Sequence, residues 1–236
     1  MRTISEFSGA AVTGLNNNAY QITRGEELNA ASGHHGSCCF VKSDFMAMTD
    51  LSSNTFDAAY QIEATCHAPD LTGVLAEVFR VLKPGGRFAS FEWCLTSAYD
   101  KNNAEHAKHK HDILLGNGLP DLRSTAECLD AMRKVGFEIV EEGDLAPLSE
   151  VPWYQPIDAT GKTFSMSEFR TSRVGRAVTH YAVAALEALG LAPPGTSAVS
   201  AFLVTGADAL VAGGRKEIFT PMFFVLCRKP LQVNTK

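Results

Sequence analysis

Between positions 56 and 93 the chain reads as an apolar run, an amphipathic helix and a second apolar run. That unit constrains the fold more than any other feature of the sequence. From Asp70 the apolar positions Leu71, Val74, Leu75, Val78, Phe79 and Leu82 recur at helical spacing, and Lys83-Pro84-Gly85-Gly86 stops them with a glycine turn. A strand, a covering helix and a second strand make a crossover unit, whose strands lie parallel with the helix packed on the sheet. Further strand-like runs at Ala11–Asn16, Cys38–Val41, Phe137–Glu141 and Met222–Cys227 flank the pair 56–62 and 87–93, so the sequence predicts an α/β sheet.

Other helices follow by the same reasoning. Ser124 and Glu127 form a capping-box pair ahead of a helix that ends at Gly136. After Glu142 the alternation breaks, with Pro147, Pro152 and Pro156 marking an irregular entry. Val174, Ala177, Val178, Tyr181, Ala182, Ala185, Leu186 and Leu189 then trace one apolar helical face, expected to be buried, before the Pro193-Pro194-Gly195 turn and a shorter helix from Ser197 to Val211.

Composition narrows the function. A formal net charge of −5 with no long basic run gives no electrostatic reason for nucleic-acid binding. No run approaches the ~20 apolar residues of a membrane-spanning helix, and the first residues hold no apolar signal core, so a cytosolic setting is expected. Of six cysteines none forms a C-x-x-C pair, and they read as reduced thiols. His106, His109, His111 and Asp112 do not share one helical face at ligand spacing, and no metal is expected.

Open α/β sheets bind ligands beyond the C-terminal ends of their strands. Those ends carry Asn16 and Asn17, Asp44, Glu63 and His67, and Glu92 with Trp93, a convergence that suits a small-molecule site in an apolar cleft.

The strings Gln61-Ile62-Glu63-Ala64-Thr65-Cys66-His67-Ala68-Pro69, Leu82-Lys83-Pro84-Gly85-Gly86, Pro152-Trp153-Tyr154 and Ile218-Phe219-Thr220-Pro221-Met222 make the chain similar to the sterol 24-C-methyltransferase family, from about Arg2 to Pro230. The resemblance implies a class I methyltransferase (Rossmann-like) sheet, beginning here at the family's second strand. Residues 1–146 would form a partial core and 147–236 the sterol-methyltransferase C-terminal region with the last core strand. It further implies an upstream strand and glycine-rich loop that this sequence does not contain, so that the chain alone is expected to bind S-adenosylmethionine poorly. The implied reaction is S-adenosylmethionine-dependent methyl transfer to the C24 side-chain alkene of a sterol. A non-catalytic sterol-binding partner and methylation of another unsaturated lipid stay open beside it.

The same resemblance implies roles. Asn16 would hold the cofactor ribose, Gln21 would contact the cofactor, and Asp44 with Phe45 would take the adenine edge and face. Glu63, His67 and Glu92 would supply negative charge and a base, with Tyr60 and Trp93 offering aromatic faces to a cationic substrate carbon. The position of Asn117 is commonly aspartate in the family. Arg170, Arg173, Arg176 and His180 would meet either anionic lipid headgroups or carboxylates of the core, the second being favoured. Peripheral contact with the endoplasmic reticulum membrane and self-association are further expectations.

Overall fold

The computed structural model describes residues 1–160, 169 and 171–231. Arg170 lies outside them. Two parallel strands, β1 (Val12–Asn16) and β2 (Cys38–Lys42), pair in register from Val12–Cys38 to Asn16–Lys42. A second sheet has four strands: β3 (Phe56–Ile62), β4 (Leu82–Leu95), β5 (Glu138–Asp144) and β6 (Phe219–Arg228), in the order β3-β4-β6-β5. β3 and β4 run parallel, and β6 lies antiparallel between β4 and β5. No ladder joins β1 to β3, so each presents an open edge among the described residues.

Alternation along β4 decides what the sheet buries. Phe88, Ser90, Glu92 and Cys94 are all buried, and every second side chain of a strand shares a face. Against them pack Val74, Leu75 and Val78 of α3 (Leu71–Val81) and Cys128 and Met132 of α5 (Thr125–Val135). Each such aliphatic side chain contributes about 1.5–3 kcal/mol by leaving water. Between them in sequence stands α4 (Ala104–Asn117), and ahead of β2 stand α1 (Arg2–Ser8) and α2 (Ala19–Ala31).

Local devices agree with the sequence with one correction. Asp70 caps α3 by accepting from Thr72 N (3.0 Å), and the Ser124–Glu127 capping box closes in both directions at 3.2 and 2.7 Å. The stop of α3 is not a glycine turn. The helix ends in Leu82, already extended at ψ 139 and paired with Phe56, because Pro84 cannot continue it. Gly85, at φ 83, serves β6 instead, donating its N–H to Lys229 O (2.9 Å).

The C-terminal helices depart further from expectation. α6 (Arg173–Ala188) packs on α7 (Thr196–Arg215), with Arg176 paired to Asp208 and Val183 lining the groove between the helices, and the apolar face predicted to be buried is exposed along its length. Periodicity fixed the stripe but not its neighbours. α7 is the longer helix, not the shorter, and with a mean hydropathy of 1.4 it is long and apolar enough to span a bilayer by composition. Counting consecutive apolar residues missed this because Gly, Ser and Thr interrupt the run. Its second half is docked on α4. A Cβ on Gly116 would stand 2.3 Å from Gly206 Cα, so only glycine permits that crossing.

Candidate active site

The strand ends carry the site residues in three groups. At the end of β1, Asn16 Nδ2 donates to Gln21 Oε1 (2.7 Å) and Asn16 Oδ1 accepts from Asn18 N (2.9 Å). Asn18 in turn caps α2 through Gln21 N (3.1 Å), so the start of that helix fixes both amides. At the end of β2, Asp44 Oδ1 accepts from Met46 N (2.8 Å), a turn bond that leaves its other oxygen with no described partner. Phe45 is half-buried against the main core.

The third group lies where β3 ends beside β4, at the Ile62–Phe91 pair. Glu63 is exposed and sits at φ 51, a left-handed backbone that costs a non-glycine residue about 1–2 kcal/mol. Its N–H donates to Phe91 O (2.8 Å), which anchors the bend to β4. The short turn Thr65–His67 follows, held by Glu92. The Glu92 side chain, 5% exposed, accepts from Thr65 Oγ1 (2.6 Å) and Cys66 N (2.9 Å) with Oε2, and from Trp93 N (2.9 Å) with Oε1. That carboxylate is fully engaged and positions the turn. His67, the last residue of the turn, faces solvent.

Cys66 connects this turn to an aromatic wall. Its thiol donates to Glu63 O (3.6 Å), and its side chain is buried in the same apolar cluster as Phe219, against which Trp93 and Trp153 pack. Burial first, then the neighbouring Glu92 charge, push the Cys66 thiol far up and keep it protonated. Trp93 and Trp153 each meet Phe219 edge-on at 5.5 Å between ring centres, and Trp153 meets Tyr154 likewise. Trp93 Nε1 is buried without a hydrogen-bond partner among the described residues.

Tyr60 does not join this wall. It lies mid-strand on β3 opposite Ala89, and burial, with Cys38 behind it, raises its phenol. The strand ends are also more open than expected: Gln21, Asp44, Glu63 and His67 are exposed, and two cavities lie away from them. One, of about 640 Å³, lies among α4, α6 and α7. The other, of about 400 Å³, is an apolar groove between α6 and α7. Among the described residues β1 and β3 belong to separate sheets and do not pair.

Several of the other cations and histidines have local partners, while Arg173 and His180 form no ion pair among the described residues. Arg176 pairs with Asp208 of α7 (2.5 Å) rather than with the core, Lys108 with Asp112 (2.5 Å), and His106 Nδ1 accepts from Asp100 N (3.1 Å). Asn117 donates to Ile113 O within its own helix (2.9 Å). Sequence reasoning gave no role to Trp153, Phe219 or Gln61, whose Oε1 accepts from Ala64 N (2.8 Å). The Trp153-Tyr154 pair after Pro152 was the available signal. The Glu77–Arg80 pair was legible in its spacing, and it holds the loop after β2 through Met48 and Leu51.

Comparison with known proteins places these features in a family. Residues 2–90 match the family described as methyltransferase domain and residues 166–231 the family described as sterol methyltransferase C-terminal. The chain is 58% identical over 231 residues to cycloartenol-C-24-methyltransferase 1 of Oryza sativa subsp. japonica, covering 98% of this chain and 66% of that protein. It is 55% identical to cycloartenol-C-24-methyltransferase of Arabidopsis thaliana, covering 98% and 68%. The chain thus spans about two thirds of the length of these relatives. In fold it resembles a putative sarcosine dimethylglycine methyltransferase from Galdieria sulphuraria (TM-score 0.67, 20% identity, 97% of this chain and 73% of that one). Geranyl diphosphate methyltransferase is similar (TM-score 0.68, 18% identity, 97% and 67%). On this evidence the chain belongs to the sterol 24-C-methyltransferase family and carries its part of the class I methyltransferase fold.

Proposed function

We propose that this chain serves S-adenosylmethionine-dependent methyl transfer to the C24 side-chain alkene of a sterol. The observation that carries the reading is the junction at Cys66, which ties the Glu63 bend to the Trp93–Phe219–Trp153 wall. The Cys66 thiol bonds the Glu63 main-chain oxygen, so the bend that carries the Glu63 carboxylate is fixed to the wall; a carboxylate and π faces both attract positive charge and suit a substrate carbon that becomes cationic. The names of the relatives specify cycloartenol and the C24 position, and they support that acceptor here.

The residues at the ends of β1 and β2 fit the adenosine half of S-adenosylmethionine. Asp44 keeps one carboxylate oxygen free for an exocyclic amine, Phe45 offers an apolar face, and the Asn16–Gln21 pair presents amides suited to ribose hydroxyls. When bound, that cofactor supplies an electrophilic methyl on a sulfonium. The chain's own part is to hold the acceptor against the aromatic wall, to offset the charge with Glu63, and to take up a proton at His67. Glu92 acts through the turn, as a positioning residue.

Methyl incorporation into cycloartenol from labelled S-adenosylmethionine tests this. Glu63→Gln is expected to lower the rate at least a hundredfold and Trp93→Ala at least tenfold, with both proteins folded. Unchanged rates in both would overturn the assignment.

A further inference from the structure

We propose that the distal half of the α6–α7 hairpin is a membrane-docking element that beds into the interface of a lipid bilayer. Four observations point the same way. The apolar stripe of α6, Val174 to Leu189, is exposed, and the connecting turn exposes Leu189 and Leu191 at 72% and 74%. The first half of α7 adds Val199, Phe202 and Leu203, all exposed, while its buried residues begin only at Gly206, where it docks on α4. The hairpin is therefore anchored at its base and bare at its tip.

Charge is arranged to match. Between residues 177 and 207 the one acidic or basic side chain, His180 aside, is Glu187. That carboxylate accepts from Gly195 N (2.6 Å) and Ser197 N (2.8 Å) and so caps α7. The tip thus carries a single ionised group, whose hydrogen bonds go with it into the hydrated interfacial layer. The cations Arg173, Arg176, Arg215 and Lys216 all stand at the base, at the far ends of both helices from the tip. Arg176, Arg215 and Lys216 are paired with Asp208, Asp158 and Glu105, so apolar burial and not headgroup charge drives the contact.

A second copy of the chain fits the tip less well. Protein interfaces surround an apolar centre with a polar rim that sets register, whereas leucines here cover both helices and the turn between them, with Glu187 the single ionised group beside them. Tyr181, exposed midway along α6, has the apolar body and polar end that suit a bilayer interface.

Co-sedimentation of the full chain with sterol-free phosphatidylcholine vesicles tests the proposal apart from any sterol substrate. The wild-type chain is expected to partition onto them with little dependence on salt. Leu189→Asp with Leu191→Asp, both at solvent-exposed positions, is expected to weaken partitioning at least tenfold with thermal stability unchanged. Tryptophan placed as Leu189→Trp is expected to be quenched by brominated lipid beyond the level given by Trp93 and Trp153. Absence of partitioning, or equal partitioning of the double variant, would overturn the proposal. So would a dimer in light scattering that the double variant abolishes, since that assigns the face to a second copy.

Discussion

Replacing Glu92 by glutamine tests how the site is held together. The carboxylate is 5% exposed and accepts three hydrogen bonds, from Thr65 Oγ1, Cys66 N and Trp93 N. Glutamine keeps one acceptor oxygen, so its amide nitrogen must face either Trp93 N–H or the Thr65–Cys66 pair, donor against donor. A hydrogen bond to a charged group is worth about 1.5–3 kcal/mol, and a buried donor left unpaired costs about 1–3 kcal/mol. Relief from burying a charge offsets part of this. A net loss of about 2–3 kcal/mol is expected, equivalent to a fall in Tm of roughly 4–12 °C at this chain length. Thermal and urea unfolding followed by circular dichroism would measure it, and Thr65→Val completes a double-mutant cycle. The two substitutions share one interaction, so their coupling should be at least about 1 kcal/mol. A loss below about 0.5 kcal/mol for Glu92→Gln, with no coupling, would refute the account of Glu92 as the clamp on the turn.

Three further outcomes follow from other contacts. Gly116→Ala should destabilise the protein by about 1–3 kcal/mol, read as a fall in Tm, because its Cβ meets Gly206 Cα at 2.3 Å and overpacking outweighs the gain in helix propensity. Glu63→Gly should raise stability by about 1 kcal/mol in urea unfolding by relieving the left-handed backbone at φ 51, while removing the carboxylate proposed to serve the substrate. The Arg80 guanidinium, with a further bond from Met48 N, holds the Glu77 carboxyl below its usual range. The stability it adds is therefore present above the unfolded carboxylate value near about 4.3 and is lost as pH falls through the lower folded value, so the gap between wild type and Glu77→Gln should close in acid unfolding.

Local order was legible in the sequence wherever a short-range rule decides it. The periodicity from Leu71 to Leu82 specified a helix whose Val74, Leu75 and Val78 are buried, and Ser124 with Glu127 specified a capping box that forms. Strand alternation likewise marked the ends where polar groups gather. Asn16 does end β1, and Asp44 and Glu63 follow β2 and β3 within two residues, whereas β4 runs on to Leu95 and leaves Glu92 inside the strand, because pairing with β6 extends it beyond its apolar run.

Tertiary structure decided what those residues touch. Glu92 could read as a reactive acid until its oxygens were seen bonded to Thr65, Cys66 and Trp93, partners up to 27 positions away that no local pattern ranks. Tyr60 and Trp93 looked alike as aromatic faces, yet only Trp93 packs against Phe219, more than a hundred residues on. The stripe on α6 shows the same division. Spacing determined that Val178, Tyr181 and Leu189 share a face, but burial belongs to a pair of surfaces, and only the packing of α6 on α7 showed that this face is turned outward. A sequence encodes which side chains a helix or strand will present together. What stands opposite them depends on how distant segments fill space, and from that come both the clamp at Glu92 and the bare tip of the hairpin.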